Sequence, residues 1–247
     1  MSSATITRIS SALTGDCLDD SSDELQERVR LLFQQSGFFN AQVESLKIET
    51  RDPLALPKLV RLEAEVAEGT LYRLARISFF GNHAFSSVSL RKEFPIKKGD
   101  VFETDRIAAG LESLRKVYGS KGYPSFLATP NTQTTSQATI VLTVSIDEGQ
   151  QYRMGKLEIV AASELTDQLR ARWQLPDGAI YDYSYVGKYL EKNRELLPPG
   201  FSGGDVQYVR NCQDALVMVD VRLLLDPANP TPQPKDVGCE DANRHLK

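Results

Sequence analysis

The sequence predicts an α+β fold built from three tandem copies of one module, in which two helices cover one face of a three-stranded mixed sheet. The clearest observation is an internal repeat. A strand that ends in Glu-Gly, followed after two residues by Tyr-Arg, occurs at residues 66–73 (VAEGTLYR) and again at 146–153 (IDEGQQYR). The two glycines, Gly69 and Gly149, set the period of the repeat.

A second anchor supports the same period. A turn glycine that follows an apolar residue by two or three positions recurs at Gly15, Gly99 and Gly178, with two spacings close to that between Gly69 and Gly149. The two anchors together predict a truncated module at 1–70, a complete module at 71–149 and a divergent module at 150–227. Residues 228–247 continue a proline-rich stretch and are interpreted as a linker or tail.

The best-preserved copy has the order strand, helix, helix, strand, strand. Ala75, Ile77 and Phe79 alternate on one side of the first strand. The second helix has Ile107, Leu111, Leu114 and Tyr118 on one face, and Thr104 is its expected cap. The predicted bounds are a strand at 73–80, helices at 86–94 and from 104, a strand at 123–128, a polar loop at 131–137 and a last strand at 140–146.

Glycine and asparagine mark the turns of this copy, because both tolerate the left-handed backbone that tight turns need. The residues predicted as structural turns and hinges are Gly69, Gly81, Asn82, Gly99, Gly122 and Gly149. At Gly69 and Gly149, where one module meets the next, a tight structural turn is the alternative to a hinge.

The other copies repeat the order with changes. The first has a capping box, Ser21-x-x-Glu24, then Leu25, Val29, Leu32 and Phe33 on one helix face and strands at 43–50 and 59–66. The stretch before Gly15 is too short for an opening strand as well as a helix. The third has a strand at 153–160, helices at 163–173 and 183–196, and closing strands at 205–210 and 215–225.

Composition excludes several classes of function. The chain has 247 residues, a net charge of −4 and interspersed charges of both signs, which gives no basic surface for nucleic acid. No run of about 20 apolar residues predicts a membrane helix, and the first residues (MSSAT) lack the basic and apolar segments that are typical of a signal peptide. The cysteines Cys17, Cys212 and Cys239 have no metal-like spacing, and their pairing is left open. No cofactor is expected.

No catalytic constellation is visible. His83 follows a turn and His245 lies in the tail, so neither belongs to a triad or a metal set. The acidic run at 19–24 lacks the spacing of a calcium loop and is interpreted as helix capping. Four tyrosines are interpreted as helix packing rather than a ligand cage: Tyr181, Tyr183, Tyr185 and Tyr189. We therefore expect a protein that is not an enzyme.

The middle copy resembles a POTRA (polypeptide-transport-associated) domain. The resemblance is carried by residues 79–85 (FFGNHAF), Leu90, Gly99-Asp100, the amphipathic helix, Gly122-Tyr123 and the closing Asp147-Glu148-Gly149. It extends over most of this chain, as far as the end of the third copy. The third copy departs from the pattern, with residues 160–163 (VAAS) in place of Gly-Asn and 225–227 (LDP) in place of Glu-Gly.

The resemblance implies the setting of the protein. POTRA domains precede the membrane β-barrel of BamA-like outer-membrane protein assembly factors. The chain is then expected on the periplasmic side of a bacterial outer membrane, with a signal sequence before it and a barrel after Lys247. Its expected partners are unfolded outer-membrane proteins and accessory assembly subunits.

An expected mechanism follows from the sheets themselves. An edge strand has unpaired N–H and C=O groups, to which an extended client can add a strand with little sequence preference. The strand after the second helix is the expected edge. The residues assigned to these edges are Val43, Ser45, Lys47, Glu49, Tyr123, Ser125, Leu127, Val206, Tyr208 and Arg210. The alternative is that these edges only face solvent.

Two further alternatives stay open. The array could be a structural spacer or interaction module of an envelope or division complex, or a regulatory array attached to an enzyme. The sequence downstream of Lys247 would distinguish them. A first module without its opening strand is also expected to pair artificially with a neighbouring copy in solution.

Overall fold

The structure, a computed structural model, describes residues 22–50, 60–213 and 216–226. This part contains five helices and eight strands, along with two short 3₁₀ turns at Arg194–Leu196 and Gly203–Asp205. In chain order the elements are α1 (Ser22–Gln35), β1 (Gln42–Thr50), β2 (Val60–Ala67), β3 (Arg73–Phe80), α2 (Ser87–Lys92), α3 (Thr104–Ser120), β4 (Leu127–Thr134), β5 (Thr139–Asp147), β6 (Tyr152–Val160), α4 (Ser163–Arg172), α5 (Tyr185–Lys192), β7 (Val206–Gln213) and β8 (Leu216–Leu224).

The strands of the described residues form three separate sheets. The first sheet contains β1 and β2, the middle sheet has the order β3-β5-β4, and the third sheet has the order β6-β8-β7. β3 runs parallel to β5 and β6 parallel to β8, whereas β7 is antiparallel to β8. The predicted α+β class with mixed sheets is confirmed, and the strand-helix-helix-strand-strand order occurs twice. The count of three modules stays a prediction.

The first segment matches its predicted elements where it is described. Helix α1 buries Leu25, Val29 and Phe33, which recur every four residues along one face. The two strands lie within a residue of their predicted positions, and β1 pairs antiparallel with β2. The capping Ser21, the turn at Gly15 and the missing opening strand all lie outside the described residues.

The first strand of the middle sheet departs from the predicted alternation. Leu74 and Phe79 are the buried residues of β3, whereas Ala75 and Ile77 are only partly buried. The register shifts by one residue between Leu74 and Arg76, so Leu74 takes the place predicted for Ala75, while Ile77 and Phe79 stay on the core face opposite the buried strand β5. Strand β6 has an irregularity in the corresponding position, between Met154 and Leu157.

The strand predicted at 123–128 was wrong. Strand β4 begins only at Leu127 and continues to Thr134, through the residues predicted as a polar loop. Tyr123 and Ser125 lie in the turn that follows α3. The reason is aromatic packing: the Tyr123 ring contacts Tyr118 edge-on with centroids 5.8 Å apart, and Phe126 stacks on Tyr118 at 4.1 Å. These contacts hold the chain in a turn before the strand begins.

The second helix of the third segment is shorter than predicted. Helix α5 spans Tyr185–Lys192, and the Asn193 side chain donates a hydrogen bond to the Tyr189 carbonyl at 2.7 Å where the helix ends. Trp173 packs edge-on against Tyr185 and Tyr189, with both centroid distances 4.9 Å. The packing role predicted for these two tyrosines is confirmed. Tyr181 is also buried in this core, whereas Tyr183 is 56% exposed.

Candidate functional site at the free sheet edges

Strand β1 is the longest of the predicted edges. It has nine residues without proline, and on its side away from β2 no strand pairs with it in the described part of the chain. A bulge between Val43 and Ser45 separates the assigned residues. Val43 packs against the core around Val29 and Phe33. The remaining assigned positions (Ser45, Lys47, Glu49) are paired with Glu65, Glu63 and Arg61 of β2, respectively.

Strand β4 forms a free edge of the middle sheet. All of its residues except Ala128 are exposed, including Leu127 at 60%. Pro130 removes one main-chain donor from the strand. Of the three residues assigned to this edge, only Leu127 lies on it, because Tyr123 and Ser125 belong to the preceding turn.

Strand β7 forms a free edge of the third sheet and contains all of its assigned residues. Its eight residues have no proline. Tyr208 is paired with Val221 and Arg210 with Val219, and both valines are buried in the core. Because directly paired residues point to the same side of a sheet, Val206, Tyr208 and Arg210 share the helix-covered face, where Tyr208 nevertheless stays 51% exposed.

The opposite edges of the middle and third sheets are partly covered. In the middle sheet, Leu74 donates its N–H to the Asp100 carbonyl at 2.9 Å and its own carbonyl accepts from Gly99 at 2.8 Å. In the third sheet, Met154 makes the equivalent bonds to Ala179 and Gly178, at 2.8 and 2.7 Å. The extended segments at 99–102 and 178–181 therefore occupy the outer side of the start of β3, as far as Leu74, and of β6, as far as Met154.

The predicted turn glycines adopt the expected backbone. Gly69, Gly81, Gly99, Gly122 and Gly149 all have a positive φ, between 65° and 89°. Gly81 is the most constrained, since a Cβ there would lie 2.1 Å from the Ile146 carbonyl oxygen. The hinge role proposed for Gly69 and Gly149 stays a prediction.

Asn82 precedes a second turn feature, the Glu148 cluster, which comprises Glu148, Tyr118, His83 and Ala84. The Glu148 carboxylate accepts the main-chain N–H groups of His83 at 2.8 Å and Ala84 at 2.9 Å. It also accepts the hydroxyl of Tyr118 at 2.9 Å, and the Tyr118 side chain is fully buried. This burial, with the hydrogen bond to Glu148, raises the pKa of Tyr118. The Glu of the Glu-Gly motif thus has a structural role, and His83 contributes its main chain to it.

The described residues form two compact units. The first falls within Met1–Phe80, Phe85–Ser113 and Thr129–Ser145. The second falls within Gly81–Ala84, Leu114–Ala128 and Ile146–Lys247. In the first unit, the Gly37 carbonyl, directly after α1, accepts the N–H of Tyr72 at 2.9 Å. The Asn40 side chain also donates to the Tyr72 hydroxyl at 3.1 Å. These contacts connect the end of a helix to the residues that precede the next sheet.

The second unit contains the same arrangement. The Gly122 carbonyl, after α3, accepts the N–H of Tyr152 at 2.6 Å, and Gly119 accepts from Tyr183 at 3.1 Å. Gly122 was predicted as a turn, whereas Gly37 was not singled out by the repeat. The Tyr of the Tyr-Arg anchor therefore has a structural explanation, since its N–H bonds to the preceding helix end.

Several kinds of site are not found in the described residues. Between residues 22 and 226, excluding 51–59 and 214–215, no group of three or more His, Cys, Asp or Glu side chains could hold a metal ion. No helix in this part is long and apolar enough to cross a membrane. Cys212 on β7 is disulfide-bonded. His245 and the tail at 228–247 lie outside the described residues.

Comparison with known proteins identifies relatives by sequence. Residues 72–149 match the family described as "POTRA: Surface antigen variable number repeat". Two curated relatives align over 172 residues: a putative outer membrane protein assembly factor of Treponema pallidum, 24% identical, and outer membrane protein assembly factor BamA of Neisseria meningitidis, 23% identical. The alignments cover 68% and 67% of this chain but only 20% and 21% of those relatives.

Solved structures agree on the fold. The crystal structure of Haemophilus influenzae BamA POTRA3-5 superimposes with a TM-score of 0.56 at 19% identity, covering 85% of this chain and 82% of that one. BamA from Haemophilus ducreyi lacking POTRA domains 1-3 gives 0.50 at 18% identity, covering 63% and 30%. Residues 72–149 therefore match the POTRA family, and the chain is similar over 172 residues to outer membrane protein assembly factors of the BamA type.

Proposed function

We propose that the chain is a periplasmic receiving and scaffold array for outer-membrane protein assembly. Unfolded β-barrel clients or accessory subunits bind weakly to its free sheet edges by strand addition and are passed to the membrane-embedded part of the same protein. The observation that carries the proposal is the set of three strands, β1, β4 and β7, each at the edge of a different sheet. The role is one of binding and transfer, without catalysis.

The expected affinity is low. Alternate residues of an eight-residue edge direct their main-chain groups outward, so β7 presents about four residues to a client. Each added hydrogen bond contributes roughly 0.5–1.5 kcal/mol net, while ordering each client residue costs about 1–2 kcal/mol. These contributions nearly cancel, so a single edge is expected to bind a client with a dissociation constant of about 1 mM or weaker. Several edges in one chain raise the effective concentration without tight binding at any one of them.

The periplasmic location is supported by two observations. The relatives are outer membrane protein assembly factors. Cys212 is disulfide-bonded, and disulfides persist in oxidising compartments, of which the bacterial periplasm is one.

A structural spacer is the second candidate function. It is favoured by the contacts after α1 and after α3, where Gly37 binds Tyr72 and Gly122 binds Tyr152 through the main chain. In each compact unit such bonds restrict the motion of the strand that follows. A spacer needs these contacts but no free edge.

Titration of the ¹⁵N-labelled chain with extended peptides taken from outer-membrane β-strands tests the proposal. Amide shifts confined to β1, β4 and β7 are expected, with similar affinity for peptides of unrelated sequence. A scrambled peptide with proline at alternate positions, which cannot donate to an edge, is the control. Shifts spread away from all three strands would remove strand addition and leave the spacer.

A further inference from the structure

An open groove lies between the later part of β3 and helix α2, beyond the segment that covers the start of the strand. Its walls include residues 77–79 of the strand and Val88, Arg91 and Lys92 of the helix. Both elements belong to the same compact unit. The groove has a volume of about 630 Å³, which is within the range of about 300–1,000 Å³ that is usual for ligand sites.

The strand wall of the groove offers main-chain groups. Leu74 directs its N–H and C=O away from β5, towards Asp100 and Gly99. Ile77 and Phe79 have their side chains on the same face as Leu74, and residues of one strand that share a face also direct their main-chain groups to the same side. The N–H and C=O groups of both residues therefore point into the groove, where no strand of the described residues pairs with β3.

The helix wall combines an apolar side chain with two cations. Val88 is 72% exposed, and Lys92 follows it by one helical turn, so both lie on one side of α2. Arg91 adds a guanidinium group, which is held in place by a hydrogen bond to the Phe94 carbonyl at 3.3 Å. No Asp or Glu among the described residues lines the groove. Charge complementarity therefore favours a ligand with a carboxylate at this wall.

The third segment lacks this combination. Leu90 of α2 and Leu169 of α4 are both fully buried, and they are separated by the same offset as the turn glycines of the two segments. Asp167 and Ala171 of α4 then take the places of the valine and the lysine. The apolar and cationic pair is thus a property of the middle segment and not of the module in general.

We propose that the groove between β3 and α2 binds an extended segment of a partner protein, in which a carboxylate lies two residues from an apolar side chain. The segment pairs with the free main-chain groups of Ile77 and Phe79. Alternate side chains of a strand are about 6–7 Å apart, close to the separation of about 5–6 Å between Val88 and Lys92. The apolar side chain packs on the valine while the carboxylate lies beside the lysine.

This site goes beyond the proposed function, because it selects the charge of its ligand and uses none of the edges β1, β4 and β7. Titration of the ¹⁵N-labelled chain with two strand peptides tests it. In one peptide Val and Thr alternate, with Glu in place of a central Val, and the other has Gln in place of that Glu. We expect amide shifts at residues 75–80 and in α2.

The Glu peptide should bind about 2- to 5-fold more tightly than the Gln peptide, as an exposed ion pair allows. The difference should shrink in about 0.5 M NaCl, which screens such a pair. The chain as a whole has a net charge of −4, so this preference reports the local charge of the groove and not a general attraction.

Lys92→Glu changes the charge of the groove at an exposed position. It should reverse the preference, so that the Gln peptide binds more tightly. Val88→Ser should weaken the binding of both peptides to a similar degree, since both keep the apolar side chain. Lys121→Glu is the matched control, because it makes the same charge change at an exposed lysine outside the groove; it should keep the preference of the wild type.

Equal affinity of the wild type for the two peptides would overturn the inference. An equal loss of the preference in Lys92→Glu and Lys121→Glu would also overturn it, since the selection would then not be local. Shifts confined to β1, β4 and β7 would remove the groove and leave the proposed function standing. Shifts at β3 and α2 without any at those three strands would instead remove the proposed function and leave the groove.

Discussion

The Glu148 cluster allows a quantitative prediction about stability. In Glu148→Ala, the N–H groups of His83 and Ala84 lose their acceptor but lie where water can replace it. The Tyr118 hydroxyl, by contrast, belongs to a fully buried side chain and loses its hydrogen bond to Glu148. A lost hydrogen bond to a charged group costs about 1.5–3 kcal/mol, and the lost main-chain bonds add to it, so a loss of about 2–4 kcal/mol is expected.

A double-mutant cycle isolates the hydroxyl. Tyr118→Phe keeps the ring that stacks on Phe126 and removes the donor, so Glu148→Ala should be milder in that background by about 1–2 kcal/mol. Native-state hydrogen exchange of the β5 amides is the appropriate assay, since it reports on one region of a multi-module chain that need not unfold in a single step. Additive losses, or a loss below about 0.5 kcal/mol in Glu148→Ala, would refute this account.

Two further predictions concern backbone conformation and pH. Gly99→Ala should cost about 1–2 kcal/mol, because its φ of +89° is left-handed while the space around it is open. Gly81→Ala should cost at least about 1–3 kcal/mol more, since its new Cβ would overlap the Ile146 carbonyl; equal urea midpoints would contradict this. Burial raises the pKa of Tyr189 to about 12, above the roughly 10 of an unfolded tyrosine. The stability that comes from burying the protonated Tyr189 hydroxyl is therefore fully present below about pH 10 and is lost as the pH rises towards 12. Between pH 9 and pH 11, the urea midpoint should fall less in Tyr189→Phe than in the wild type. An identical fall in both proteins would contradict a raised pKa for Tyr189.

The sequence was sufficient to predict the parts of the fold that depend on periodic burial. Leu25, Val29 and Phe33 define α1 through their spacing, and the alternation of Ile140, Leu142 and Val144 defines β5, where all three are fully buried. The repeat of Glu-Gly and Tyr-Arg was also informative, because its two tyrosines each bond through the main chain to the end of the preceding helix.

Other features have no periodic signal. The bulge after Leu74 depends on how β3 aligns with β5, which local sequence does not show. Tyr123 has strand propensity, but its contact with Tyr118 holds it in a turn, an example of tertiary packing that overrides propensity. The groove beside β3 has no signal in the local sequence, since only coordinates show that Val88 and Lys92 face a free strand edge. A comparison of α2 with α4 across the repeat could have singled out this pair.

The partial cover on β3 and β6 has a consequence for self-association. An open sheet with two equivalent edges can be extended from both sides, and copies then stack into a filament without end. In the middle sheet, the bonds from Leu74 to Gly99 and Asp100 cover the start of β3 and leave residues 75–80 beyond them, a shorter edge than the eight residues of β4. Two copies that meet through β4 would form a symmetric pair whose outer edges are shorter than the shared one, which disfavours further growth of that sheet.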